Sequence, residues 1–190
     1  IVNGFTCNAY VTVTSSVGSM PLLAPMSTIA GQLAFIVGSY HLLKHNKGKG
    51  VMIGKMHDID PRVVTVIGAG VSGTQSILKA IDNNAIVKVV DSSQSKLDQL
   101  QSKYGSNNIE YVLSTEESIQ LSINDSDLVI GSVYVVGKEA PKVVKREMLS
   151  SMNPGTVMVD VSIDQGGCFE TSKPTTHDNP TFLENDIVHY

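Results

Sequence analysis

The stretch from Arg62 to Asp91, RVVTVIGAGVSGTQSILKAIDNNAIVKVVD, constrains the fold of this chain more than any other. Val63, Val64, Val66 and Ile67 form a short, β-branched, uncharged run, the pattern of a parallel strand buried on both faces. Gly68, Gly70 and Gly73 follow directly, in the spacing G-x-G-x-x-G. Ile77, Leu78 and Ile81 then recur at helical spacing up to Asn83-Asn84, a stop signal. A second apolar run, Ile86 to Val90, ends on Asp91. Strand, glycine turn, helix, strand and acid, in that order, are the context that raises a weak glycine motif to a dinucleotide-binding fingerprint.

Each residue type has its own reason. Gly68 makes the tight exit from the strand, Gly70 lets the backbone approach a pyrophosphate, and Gly73 lets the helix pack closely on the sheet. The unpaired N–H groups at the start of that helix face the anion. Asp91 stands where a carboxylate accepts bonds from the adenosine ribose hydroxyls. Ser92 and Ser93 follow it, with no Arg to receive a 2′-phosphate, so the acid favours NAD. Lys96 reads two ways, as a solvated helix lysine or as a ribose contact.

A chain of 190 residues holds one substantial core, with room for a fragment of a second domain. A net charge of −4 with no clustered basic face argues against nucleic acid as a partner. No apolar run approaches the ~18 residues needed to cross a bilayer, so no membrane association is expected. No charged-then-apolar leader is seen. Cys7 and Cys168 have no metal-like spacing; they read as reduced thiols of a cytoplasmic protein, and no metal site is expected. The chain begins at Ile1 and stops at Tyr190 inside the apolar run Ile187–Tyr190, so both ends read as cut from something longer.

Along the chain, AYVTVT (9–14) reads as a short strand without an obvious partner, and residues 1–20 as the edge of a neighbouring domain. Residues 21–46 carry the longest helical pattern. Ser27 caps its start, and Ile29, Leu33, Ile36, Tyr40 and Leu43 step by four and three into one apolar stripe. Core packing is the expected use of that stripe. A connector or subunit-contact helix is the alternative, because Phe35 and Leu42 lie off the stripe and broaden it. Residues 47–60, KGKGVMIGKMHDID, read as a Gly-rich hairpin or lid with solvated lysines; the spacing is not that of a phosphate loop.

After the central unit the alternation continues. A helix is predicted from Ser93 to Lys103, a weak strand from Glu110 to Leu113, and a capping-box helix start at Ser114-Thr115-Glu116-Glu117. A buried strand at Asp127–Val133, a loop from Tyr134 to Lys142 and a short helix to Met148 come next. The turn Asn153-Pro154-Gly155 leads into a fifth strand, Thr156–Val161. This order predicts an α/β fold: a doubly wound parallel sheet of Rossmann type with a long N-terminal helix.

In such sheets ligands sit beyond the carboxyl ends of the strands. Gly68–Gly73, Asp91, Val133–Gly137 and Val161–Gly167 should converge there. The last segment reads VSIDQGG. Asp164 is its carboxylate, expected near the nicotinamide end, and Gly166-Gly167 keep the backbone slim for a ligand. The plain alternative is an Asx turn, with Asp164 bonded to its own loop.

PLLAPMS (21–27), VIGAGVSG (66–73), DLVIGSV (127–133), KEAPKVV (138–144) and VDVSIDQGGCFETSKPTTHDNPTF (159–182) together resemble bacterial alanine dehydrogenase, through nearly the whole chain. The NAD-binding component of proton-pumping transhydrogenase is similar through the glycine turn and the APK loop. It has an alanine-glutamine-asparagine run in place of IDQGG, so residues 163–167 favour the dehydrogenase. A catalytically silent NAD sensor is a third reading. The resemblance implies oxidation of L-alanine with NAD and water to pyruvate and ammonium. It implies NAD contacts through Ser27, the turn residues Gly68, Ala69, Gly70, Val71 and Gly73, then Asp91, Lys96, Ser114, Val133, Val143 and Val161, with Asp164 catalytic. It further implies that residues 21–190 are the NAD-binding domain and residues 1–20 the remnant of a catalytic domain that carries an arginine, a lysine and a histidine. Hexamers are common in the family. The chain alone is expected to bind NAD without turning over alanine.

Overall fold

The computed structural model describes residue 4, residues 9–16 and residues 18–190. Cys7 lies outside the described residues. The sheet has seven strands: β1 (Val63–Ile67), β2 (Ile86–Asp91), β3 (Ile109–Leu113), β4 (Leu128–Gly131), β5 (Val157–Asp160), β6 (Phe182–Glu184) and β7 (Ile187–His189). Their order is β3-β2-β1-β4-β5-β7-β6. Every pairing is parallel except β6 with β7. The helices are α1 (Ala24–His41), α2 (Val71–Asp82), α3 (Gln94–Tyr104) and α4 (Glu116–Asn124).

The order follows from burial. β4 and β5 are buried at every position, as parallel strands covered on both sides must be. On one face Val64, Val66, Val87, Val89 and Ile130 pack with Ala34, Phe35, Ile77 and Leu97 of α1, α2 and α3. On the other, Ile67, Val90, Val129 and Met158 pack with Ile119 and Ile123 of α4, Met148, Leu149 and Phe169. The alternation along β1 and β4 sends successive side chains to opposite cores. Ser93 caps α3 as its sequence suggests. At α4 the reciprocal cap is one residue later than expected: Thr115 and Ser118 exchange bonds of 2.8 and 3.1 Å.

Several expectations need correction. AYVTVT is no strand: Thr12 bonds back to Ala9 through both its amide and its hydroxyl, closing a 3₁₀ turn at Tyr10–Thr12. Ser27 is not a cap, because α1 starts at Ala24 with Pro25 in its first turn, and the Ser27 N–H already donates to Leu23 O. The predicted stripe is the outer face of α1. Ile29, Leu33, Ile36 and Tyr40 are each at least 50% exposed, whereas Gly31, Ala34, Phe35, Gly38 and His41 are buried. At Gly31 only a small residue fits because α2 comes so close: a Cβ there would lie 2.0 Å from Ser72 O, and Ser76 Oγ donates to Gly31 O at 2.7 Å. Lys49 is not a solvated turn lysine. Its ammonium donates to Asp127 at 2.9 Å and Ser126 O at 3.0 Å beneath the sheet. The helix expected before Met148 is a 3₁₀ helix, Arg146–Ser151.

The apolar run at the end of the chain is β7. Asn185 and Asp186, both with positive φ, join it to β6 in the two-residue turn whose twist suits a hairpin. That turn places β7 parallel to β5, where Val157 pairs with Val188.

Candidate functional site

The predicted residues collect along the carboxyl edge of the sheet. Gly68 leaves β1 with φ +94, a conformation that favours glycine, and its would-be Cβ meets Ser132 O at 2.6 Å. Ser132 Oγ, just past β4, donates to Gly68 O and braces the turn from the neighbouring strand. At Gly73 an added Cβ would fall 1.8 Å from Gly68 O, so the helix rests directly on the turn. At Gly70 an added Cβ would meet nothing within 4 Å. The chain leaves space over the one glycine of the motif expected to admit a pyrophosphate, so the residues present fit a bound dinucleotide. Val71 begins α2, and its side chain is exposed.

Asp91 closes β2 and is buried. Its carboxylate accepts the Ala69 N–H at 2.7 Å, the Ser93 N–H at 2.9 Å and the Lys96 ammonium at 3.1 and 3.4 Å. The two backbone donors are fixed by the turn and by α3. Lys96, with 42% of its side chain exposed, is the partner able to swing aside for a ribose hydroxyl. The N–H of Ser114 donates to Asp91 O, which brings the exit of β3 to the same place. Val161 N–H donates to Gly131 O, and Ser162 Oγ donates to Val133 O at 2.8 Å, so Val133 and Val161 stand side by side beyond β4 and β5. Val143 donates its N–H to Cys168 O at 2.8 Å, and it packs, as Val133 does, against the core cluster that holds Cys168. Ser27 lies one helical turn before Gly31, at the end of α1 that crosses the start of α2.

Asp164 sits in a 3₁₀ turn, Ile163–Gln165, beyond β5. Its side chain is exposed, and among the described residues its carboxylate accepts no hydrogen bond. The Asx-type bond of this segment belongs instead to Asp160, which accepts the Ser162 N–H at 3.0 Å. Asp160 ends β5 as Asp91 ends β2, and each acid holds the amide two residues on. The signal for it in the sequence was the same one: a carboxylate terminating a buried apolar run. Gly166 faces open space, but Gly167 is small for an interior reason, since a Cβ there would lie 2.8 Å from Asp160 Oδ2 and 2.6 Å from Ser172 Cβ. Cys168 is fully buried, and burial, followed by the Asp160 charge, pushes its thiol well above the ordinary range. It is no nucleophile at neutral pH.

Fold and rim together define a nucleotide-binding domain of the Rossmann class. The family described as alanine dehydrogenase/PNT, C-terminal domain, matches residues 34–190, and the chain belongs to it. It is 46% identical to an alanine dehydrogenase of Halomonas elongata over 188 residues, 99% of this chain and 50% of that protein. A solved L-alanine dehydrogenase superposes with a TM-score of 0.91 at 38% identity, over 96% of this chain and 50% of that one. A transhydrogenase structure from Sinorhizobium meliloti is less similar, with a TM-score of 0.73 at 25% identity, over 88% and 46%. The chain spans about half the length of the curated relatives it matches. No helix among the described residues is long and apolar enough to cross a membrane.

Proposed function

We propose that this chain is the NAD-binding domain, residues 21–190, of an alanine dehydrogenase that interconverts L-alanine and pyruvate plus ammonium in the cytoplasm. The observation that carries the reading is one edge of one sheet. It holds the open cradle at Gly70 and, two strands along, the exposed carboxylate of Asp164, which accepts no hydrogen bond among the described residues.

When bound, NAD supplies the acceptor for the hydride leaving the α-carbon. The residues of the chain do the rest of what this domain does. The amides of Gly68–Gly73 and the start of α2 hold the pyrophosphate. Asp91 takes the adenosine ribose hydroxyls with Lys96 beside it as a further ribose contact, while Ser27 and Ser114 contribute polar contacts at the flanks. Val133, Val143 and Val161 frame the nicotinamide side with apolar surface. Asp164 holds the substrate amine or the attacking water in line, and much of the rate comes from that positioning. The arginine, lysine and histidine that bind the carboxylate and move protons belong to the catalytic domain, of which residues 1–20 are a remnant.

The outward stripe of α1 fits a second copy of this chain as the partner, within a homo-oligomer. Ile29, Leu33, Ile36 and Tyr40 share one exposed face of a helix that contains no Asp, Glu, Lys or Arg. Two such neutral faces meet without burying a charge.

The test is turnover by the full-length enzyme carrying Asp164→Asn or Asp164→Ala. A fall in kcat of roughly a hundredfold or more is expected for loss of a group that orients a reactant. Turnover within a few-fold of the parent would overturn the role of Asp164. The isolated chain should bind NAD by calorimetry and form no NADH from alanine.

A further inference from the structure

The loop from Ser162 to Phe169 is gripped from two sides. From the interior, buried Asp160 accepts the N–H groups at both of its ends: Ser162 at 3.0 Å, Cys168 at 2.8 Å and Phe169 at 3.1 Å. The hydroxyl of Ser172 donates to the same carboxylate. From outside, the Lys142 ammonium donates to Gly167 O at 2.7 Å and to Gly166 O. Ala140 N–H adds a bond to Gln165 O at 2.9 Å. Between the grips, the loop's own bonds are short-range: Gln165 and Gly167 N–H to Ser162 O, and Gly166 N–H to Ile163 O. Those bonds shape the turn that carries Asp164 but do not fix its direction relative to the sheet. The grips do.

We propose that Asp160 and Lys142 are positioning residues for this turn, a two-sided clamp that aims Asp164 at the reacting centre; this rests on the reading of Asp164 given above. The chemistry of the clamp is specific. Every group around the Asp160 carboxylate is a donor, so an Asn there must turn its own amide donors against at least one backbone N–H. Both groups facing Lys142 are carbonyls, so a methionine of similar length leaves them without a donor. The cofactor turn at Gly68–Gly73 shares no hydrogen bond with either clamp residue, while Val143 and Val161 adjoin them on the nicotinamide side, so a fault in the clamp should cost kcat far more than it costs nucleotide binding.

The experiment is a double-mutant cycle in the full-length enzyme, with Asp160→Asn and Lys142→Met each made in the parent and in Asp164→Asn. Turnover of alanine and the NAD dissociation constant are measured on each. In the parent, each substitution should lower kcat roughly tenfold or more, the scale of a misplaced reacting group. The NAD dissociation constant should stay within about threefold. In the Asp164→Asn background the same substitutions should change kcat by less than about twofold, because the residue being aimed is gone. Lys142→Arg, which keeps donors, should restore most of the parental rate. Lys142 is exposed, so its variants carry the test if Asp160→Asn does not fold. Equal fold-losses in both backgrounds, or NAD binding lost in step with kcat, would overturn the clamp, as would parental kcat in Lys142→Met. Parental turnover in Asp164→Asn alone would instead remove the reading on which the clamp rests, and the clamp with it.

Discussion

A single methyl group separates the tasks of the glycines. Gly70→Ala puts a Cβ into open space at φ −71, so the melting temperature should hold while NAD affinity falls about tenfold or more, read by calorimetry. Gly73→Ala puts one 1.8 Å from Gly68 O, so α2 must shift. Overpacking of this kind costs about 1–3 kcal/mol or more, which in a domain of this size lowers the melting temperature by roughly 2–4 °C per kcal/mol. The buried histidines set a pH dependence. Burial lowers the pKa of His41 and of His189 below 6.5. Their unfolded counterparts therefore take up protons first as the pH falls, and stability drops below about pH 6.5 while changing little above it. Urea titrations at pH 7.5, 6.5 and 5.5 should show this, and His189→Gln should flatten the slope. At this scale the sequence made Gly68, Gly70, Gly73 and Asp91 legible because each occupies a fixed place in a local unit. Asp160 carries the same terminal-acid signal as Asp91, but the partners that give it a role lie up to twelve residues ahead, in a loop whose path no periodicity reports.

Among the elements, α1 shows where pattern and packing part. Its large apolar residues mark a stripe that sequence reasoning sends to the core. The core takes Gly31, Ala34, Phe35 and Gly38 instead, because α2 approaches closely at Gly31 and the Leu128 side chain of β4 fills the space at Gly38. Adding bulk inside should therefore hurt more than adding charge outside. A Cβ on Gly38 would lie 2.4 Å from Leu128 Cδ1, so Gly38→Leu would drive a side chain into Leu128 and should lower the melting temperature by several degrees. Leu33→Glu with Ile36→Glu should leave the melting curve of the isolated subunit nearly unchanged yet shift the full-length enzyme to smaller species in analytical ultracentrifugation. An unshifted assembly would remove the subunit contact assigned to this face. The hairpin of β6 and β7 was legible in principle, since Asn185-Asp186 between two short apolar runs is a turn signal. Only the second run entered the reading of the sequence, as the apolar stretch Ile187–Tyr190 in which the chain stops, and its pairing with the first was not drawn.

For the molecule as a whole, the alternation of strands and helices was enough to predict five parallel strands and the rim on which their ends meet. The β6–β7 hairpin and the non-local pairing of β7 with β5 escaped, as contacts between distant segments usually do. A nucleotide held on that rim binds the folded form alone, so saturating NAD at about a hundred times its dissociation constant should add roughly 2.7 kcal/mol of stability. A thermal shift series with NAD would read it, and no shift would mean an unused rim. The brace from Ser132 to Gly68 and the bond from Ala69 to Asp91 carry one more consequence. With the cradle already rigid, little conformational freedom is left to lose when the coenzyme lands. Stopped-flow traces should accordingly show a single phase whose rate climbs linearly with coenzyme concentration, without the plateau that a slow reshaping of the loop would impose.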